Sequence, residues 1–222
     1  MTVRLKIWPV AASLIVLGAL LLPPQTQAQS SNEGLALGLS FRGGCVFPSN
    51  KAHSLHPAGG GALFFRFSPH VVLEIEGDFS AIPTKGQSLG FSQGRLSHIP
   101  LLLSIRFRLP LAKSPLALFL TTGGGYAFNI MKLDADMVKN FDTLGFEVSE
   151  TCRPAALFQA GGGLEVLVSP QLALEAFGLY RISQASGEWS IADTVRGTRT
   201  SGTIDKVNLN AVVAGLGLRF IF

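Results

Sequence analysis

The chain has 222 residues, of which 47% are hydrophobic and 14% are charged, and its formal net charge is +4. This length suits one domain with a sizeable core, and the weak positive charge does not favour a nucleic-acid partner. The two cysteines have neither a CxxC spacing nor a Cys/His cluster around them, so they do not suggest a metal site.

The first 28 residues have the three-part layout of a secretory signal peptide. Two basic residues precede an apolar run at 8–22, and a small-residue cleavage site follows it. The alternative is an uncleaved membrane anchor, for which the run is short. We therefore predict a signal peptide over 1–28 and one exported domain over 29–222, whose net charge is +2 once the basic residues of the leader are removed.

Eight later runs alternate apolar with polar or small side chains, which is the period of a β-strand. In the first run, Leu37, Leu39 and Phe41 share one face and Arg42 lies on the other. No segment after the leader is apolar for long enough to form a transmembrane helix. The runs cover residues 35–42, 62–67, 71–79, 99–108, 116–128, 158–168, 172–181 and 210–222.

The connections between these runs alternate between short and long. The short ones are 68–70, 109–115 and 169–171, and the long ones are roughly 43–60, 81–97, 129–153 and 183–206. Short turns on one side and long loops on the other are typical of an outer-membrane β-barrel, with the short turns in the periplasm.

A soluble eight-stranded barrel such as a lipocalin, or a β-sandwich, also alternates along its strands. The positions of the aromatic residues favour the membrane barrel, because they fall at the two ends of the predicted strands and leave an aliphatic band between them. Those at the long-loop ends are Phe41, Phe79, Tyr126, Phe128 and Tyr180, and those at the short-turn ends are Phe67, Phe107, Phe220 and Phe222. We therefore predict an all-β fold, an eight-stranded antiparallel up-and-down transmembrane β-barrel in a bacterial outer membrane.

Three segments resemble a known family. LSHIPLLLSIRFRLPL, LALFLTTGGGYAF and AALFQAGGGLEVLVSPQLALEAFGLYR are similar to the small outer-membrane β-barrels that include the PorT-like proteins, and to the wider OmpA/OmpX-like class. The closing GLGLRFIF, with Gly217, Phe220 and Phe222, resembles the C-terminal signal that the barrel assembly machinery recognises. The resemblance implies outer-membrane lipid and that machinery as partners, and it carries no shared catalytic residues and no cofactor.

Eleven charged side chains fall on the face opposite the apolar one, and we expect them to point into the lumen. They are Arg42, Arg66, Glu74, Glu76, Asp78, Arg106, Arg108, Glu165, Glu175, Arg181 and Arg219. Side chains fill the lumen of an eight-stranded barrel, and unpaired charges there are costly, so these groups should pair. Arginine suits bidentate pairing in a confined space. The set predicts a structural salt-bridge plug, and the alternative is a narrow, gated ion path.

Other candidate sites are weak. Overlapping GxSxG patterns within 86–94 lie in a loop, whereas a nucleophile elbow needs a strand-to-helix turn. Ser97 and His98 invite comparison with lipid A deacylase barrels, but no acidic residue shares their face. His53 and His56 have a metal-binding spacing, although solvated loop histidines are commoner. We therefore predict no catalytic, metal or cofactor residues.

Cys45 begins the first long loop and Cys152 ends the third. Because an exported protein meets an oxidising compartment, we predict that they form one extracellular disulfide that clamps the loops over the barrel mouth.

The composite prediction is a non-enzymatic outer-membrane protein whose loops at 129–153 and 183–206 meet an envelope or extracellular protein partner. Trp189 and Ile191 are the exposed apolar candidates for that contact, although either could pack against its own loop. The alternatives are a narrow channel for small solutes and a lipid-modifying envelope enzyme.

Overall fold

The structure is a computed structural model, and it describes residues 35–49, 54–84, 94–112 and 114–222. The predicted signal peptide, His53 and all but the last residue of the GxSxG patterns lie outside these ranges, so the proposals about them remain predictions.

The described chain contains ten strands and one helix. The strands are β1 (Ala36–Pro48), β2 (His56–Arg66), β3 (Val71–Thr84), β4 (Gly94–Pro110), β5 (Leu116–Leu133), β6 (Phe146–Cys152), β7 (Ala155–Ser169), β8 (Leu172–Asp193), β9 (Thr198–Asn208) and β10 (Ala211–Ile221). The helix, α1 (Ala135–Thr143), lies between β5 and β6.

Eight of these strands close into a barrel. Each barrel strand pairs antiparallel with its neighbours in the order β1, β2, β3, β4, β5, β7, β8 and β10. The barrel closes because β10 pairs with both β8 and β1. Leu39 lies opposite Phe220 where the last strand meets the first, so the sheet has no free edge at that seam. The predicted eight-stranded antiparallel barrel is confirmed.

The two faces of the wall differ as a membrane barrel requires. Apolar side chains on the outer face are exposed, Leu103 at 55% and Leu120 at 69%. Charged side chains on the inner face are buried, and Glu76 and Arg106 are each 1% exposed. A continuous apolar exterior of this size is unstable in water and suits hydrocarbon. Among the described residues, no helix is long and apolar enough to cross a membrane.

The long-loop end is more ordered than the sequence predicted. Strand β8 continues well beyond the barrel, and its outer part pairs with β6 on one side and β9 on the other. The predicted loops 129–153 and 183–206 are therefore largely strand and helix, and we call this unit, residues 134–152 and 187–204, the extension. Asp134 caps α1 by accepting hydrogen bonds from the backbone N–H groups of Asp136 and Met137.

An apolar cluster lies where the extension joins the barrel. It brings together inward side chains of β3, β4 and β8 with residues of β9 and the link after it. Its buried members are Ile82, Leu96, Ala185, Ile204, Val207 and Leu209, with Met131, Cys152 and Trp189 packed against them. We call this set the apolar cap. Trp189 thus packs within the extension, which is the alternative that the sequence left open for it, and Ile191 is likewise partly buried.

The predicted disulfide is not formed in this structure, where both cysteines are free thiols. Cys45 lies in the barrel wall on β1, where it pairs with Ala214 of β10 and Pro57 of β2. Cys152 ends β6 and packs against the apolar cap instead. Burial, reinforced by the nearby Glu150 carboxylate, raises the pKa of the Cys152 thiol to about 12, so this thiol is a poor nucleophile.

Candidate functional site: the charged lumen

The barrel strands bring ten of the eleven predicted charges into ion pairs, the exception being Arg66. Four arginines and four glutamates form one connected group in the middle and at the short-turn side of the lumen, and one further pair lies toward the long-loop end. The connected group comprises Arg42, Arg106, Arg108, Arg219, Glu74, Glu76, Glu165 and Glu175.

Glu74 is the centre of this group. One carboxylate oxygen lies 2.6 Å from the Arg42 guanidinium, and the other lies 2.6 Å from Arg219 and 2.9 Å from Arg106. The side chain is fully buried. A buried carboxylate is stable only with such partners, so strand β3 depends here on β1, β4 and β10.

Arg42 makes the complementary cationic centre. Its three guanidinium nitrogens donate separately to Glu74, to Glu76 at 2.7 Å and to Glu175 at 2.7 Å. Glu175 also accepts from Arg106 at 2.7 Å. The planar fork of arginine, with donors pointing in fixed directions, permits one side chain to satisfy three carboxylates.

The register of β7 and β8 explains why the arginines must lie between these acids. Glu165 and Glu175 are directly opposite each other on the two strands, where like charges are destabilising. Arg108 lies 2.5 Å from Glu165, and Arg106 lies 3.6 Å from Glu165 and 2.7 Å from Glu175. The cations therefore offset a repulsion that the strand pairing imposes.

Toward the long-loop end, Arg181 forms an ion pair with Asp78. Gln159 joins this pair to the central group, since its amide oxygen accepts from Arg181 at 3.1 Å and its amide nitrogen donates to Glu76 at 3.0 Å. The same nitrogen lies 3.1 Å from the hydroxyl of Ser104. The sequence prediction missed Gln159 because it considered charges only, although its inward parity on β7 was the available signal.

Inward aromatic rings are a second feature that the prediction missed. The Arg106 guanidinium stacks on Phe119 at 3.9 Å, and that of Arg219 on Phe64 at 4.0 Å. These rings hold the arginine planes in place and contribute cation–π attraction.

Little free space remains between these side chains. Gly217, part of the predicted assembly signal, faces the lumen, where a β-carbon would lie 2.7 Å from a carboxylate oxygen of Glu175. A cavity beside Arg42, Asp78 and Arg181 has a volume of about 10 Å³. This is room for about one water molecule.

The two aromatic residues of the predicted assembly signal lie on the outer wall at the short-turn end. Phe220 packs edge-on against Phe41 with ring centroids 6.2 Å apart, and Phe222 is largely exposed. This contact corrects the prediction for Phe41, which lies beside a short-turn aromatic residue and not at the long-loop end. The backbone N–H of Phe222 donates to Leu37, which extends the seam to the last residue.

The weak candidates from the sequence do not assemble into a site. His98 is buried inside the barrel and pairs with Asn129 at 2.8 Å, so it does not lie on the lipid-facing wall, while Ser97 belongs to the opposite face. His56 is buried and bonds to the carbonyl of Ser54. Within the described ranges, no three His, Cys, Asp or Glu side chains are grouped as metal ligands.

Comparison with known proteins identifies the fold. No family model and no curated protein sequence matches the chain. Among solved structures, the chain is similar to the outer membrane protein OprG from Pseudomonas aeruginosa, with a TM-score of 0.54 and 12% identity over 84% of this chain and 94% of that one. It is also similar to Neisserial surface protein A, with a TM-score of 0.52 and 14% identity over 85% and 97% of the two chains.

At these identities the likeness concerns the fold alone. That fold, together with the apolar exterior and the charged interior, makes the chain an integral β-barrel of the bacterial outer membrane.

Proposed function

We propose that this chain is a non-enzymatic outer-membrane protein with a closed lumen, and that its role is carried out by the extension. The observation that carries the proposal is the ion-pair group that crosses the lumen. Arg106 and Arg219 at its centre are each 1% exposed, so ions have no hydrated surface to follow there.

A second barrier supports the closed state. The apolar cap lies over the lumen at the long-loop end, where Leu96 and Ala185 are fully buried. An ion that passed this layer would lose its hydration without gaining a charged partner, which is costly. The two layers act in series, and the cap adds to the barrier that the ion pairs form.

The extension is the part of the molecule available to partners. Long loops of outer-membrane barrels face the outside of the cell. Helix α1 has no buried residues, and β9 is exposed over most of its length while it pairs with β8 along one edge. We propose an extracellular or envelope protein as the partner that contacts this surface.

Single-channel recording tests the closed lumen. The wild-type barrel in a planar bilayer should show no opening events in molar potassium chloride. The double variant Arg106→Ala/Glu175→Ala removes one cation and one anion together and should show brief openings, which proves that barrels are inserted. Regular openings of the wild type would favour the narrow solute channel instead.

The enzymatic alternative has a separate test. We expect the lipid A profile of a deletion strain to equal that of its parent. A missing or modified lipid A species that returns on complementation would establish an envelope enzyme and overturn the proposal.

A further inference from the structure

The lumen contains one cation more than it can pair. The connected group balances four arginines against four glutamates, and Arg181 balances Asp78. Arg66 is the remaining charge. It has no ion pair with any described residue, and its Nε atom lacks a hydrogen-bond partner there.

Arg66 is nevertheless inside the barrel. It is the last residue of β2, opposite Ala36 of β1 and Val72 of β3, and it is 8% exposed. A guanidinium this deeply buried without an anion is costly, so the native environment must supply either an anion or well-ordered water.

The surroundings of Arg66 are cationic. The Arg219 guanidinium stacks on Phe64, two positions before Arg66 on the same face of β2, and Arg108 donates to the carbonyl of Pro69 in the turn after Arg66. Glu165 is already engaged by Arg108 at 2.5 Å and lies within 3.7 Å of Arg219, so it does not neutralise Arg66 as well.

Arg108 is fixed beside the turn that follows Arg66. One of its terminal nitrogens donates to the carbonyl of Pro69 at 3.1 Å, and its own carbonyl lies 3.1 Å from Nδ1 of His70. Its Nε, like that of Arg66, has no hydrogen-bond partner among the described residues. Arg66 therefore lies at the short-turn mouth of the lumen near a second guanidinium, whose two terminal nitrogens are engaged by Pro69 and Glu165.

We infer that this mouth binds a single phosphate-class oxyanion on the guanidinium of Arg66, with Arg108 and Arg219 adding positive potential. A tetrahedral oxyanion accepts charge-assisted hydrogen bonds from a guanidinium fork such as that of Arg66. One bound anion matches the one excess charge. The group is either free inorganic phosphate or the phosphate of a phospholipid headgroup, and the inference does not depend on the role of the extension.

Calorimetric titration of the lipid-free barrel in an uncharged maltoside detergent tests the site. Inorganic phosphate should bind saturably with one site per chain, against a chloride background of equal ionic strength. Arg66→Met should weaken binding at least tenfold, whereas Arg95→Met, which removes an equal charge from the long-loop end, should leave it unchanged. No saturable binding by the wild type, or equal binding by Arg66→Met, overturns the inference.

The melting temperature, measured with and without phosphate, distinguishes loss of the site from misfolding of the variant. In phosphate-free buffer, Arg66→Met should melt at or above the wild-type temperature, because the variant lacks the unpaired buried cation. Phosphate should raise the melting temperature of the wild type and of Arg95→Met but not that of Arg66→Met. A similar rise in all three proteins would show a general salt effect and contradict the site.

Nanodiscs distinguish the two sources of the phosphate group. Phosphate binding that is weaker in phosphatidylcholine discs than in detergent assigns the site to the headgroup phosphate, because these discs add that phosphate without a net surface charge. Binding as strong in the discs as in detergent assigns it to a free oxyanion.

Discussion

At the scale of single residues, the stability of this barrel depends on carboxylates that have no access to water. Glu74→Gln keeps the shape of the side chain but leaves Arg42, Arg106 and Arg219 with one anion fewer. Because breaking a buried ion pair leaves an uncompensated charge, we expect a loss of about 3–5 kcal/mol in the free energy of unfolding. Urea unfolding of the barrel in lipid vesicles measures this loss.

The matched control is Glu188→Gln on the extension. Glu188 pairs with Arg153, but both side chains are more than half exposed. An exposed ion pair contributes at most about 1 kcal/mol. Equal losses for the two variants would contradict the view that burial makes the lumen pairs essential.

The lumen is packed so closely that some of its wall positions have room only for glycine. A β-carbon on Gly217 would lie 2.7 Å from the side chain of Glu175, which Arg42 and Arg106 hold in place. We expect Gly217→Ala to destabilise the folded barrel by about 1–3 kcal/mol through overpacking. The temperature at which the folded band disappears on a gel measures the effect.

Gly178→Ala is the control for this prediction. Gly178 lies in the barrel wall on β8, and nothing lies within 4 Å of its added β-carbon. It should unfold at the wild-type temperature. If both variants behave alike, Gly217 does not act through lumen packing.

At the scale of elements, the extension should be reachable from outside the cell. Arg196 lies in the turn between β8 and β9, and its side chain is 82% exposed. Trypsin added to intact cells should cleave the chain after Arg196, and Arg196→Gln should abolish that cut. Cleavage seen only after the outer membrane is opened would mean that the barrel is inserted in the opposite direction.

The alternation of the sequence was sufficient to predict the barrel strands and their faces. The barrel wall has lipid on one face and the lumen on the other. The polarity of a side chain such as Leu120 or Glu74 is therefore enough to predict which face it lies on. This argument fails beyond the membrane, where both faces meet water. The continuation of β8 past Arg181, and the whole of β6 and β9, were therefore predicted as loops.

The sequence was also insufficient to predict which charged residues form ion pairs with each other. Glu74 and Arg219 are 145 positions apart, and they meet only because β10 returns to β1 in one particular register. The cysteines show the same limit. Their position near the long-loop end was predicted correctly, but their surroundings were not, since Cys45 belongs to the barrel wall and Cys152 packs into the extension.

At the scale of the whole molecule, the structure has a layered interior inside an apolar exterior. From the short-turn end upward, the lumen contains the Arg66 mouth, the connected ion pairs, the Arg181 pair and the apolar cap. Every layer draws side chains from several strands. We therefore expect the barrel to unfold cooperatively, while the extension, with few buried residues, can open locally.

The most direct test is the mobility of the outer-membrane fraction in SDS gels with and without boiling. A closed barrel resists unheated SDS, so we predict a folded band that shifts on boiling and fractionates with the outer membrane. Glu74→Gln should lose that band at a lower temperature than Glu188→Gln. A protein that shows no heat-dependent shift and is found in the soluble periplasmic fraction would contradict the account, because the exposed leucines of the wall would then have to line an interior.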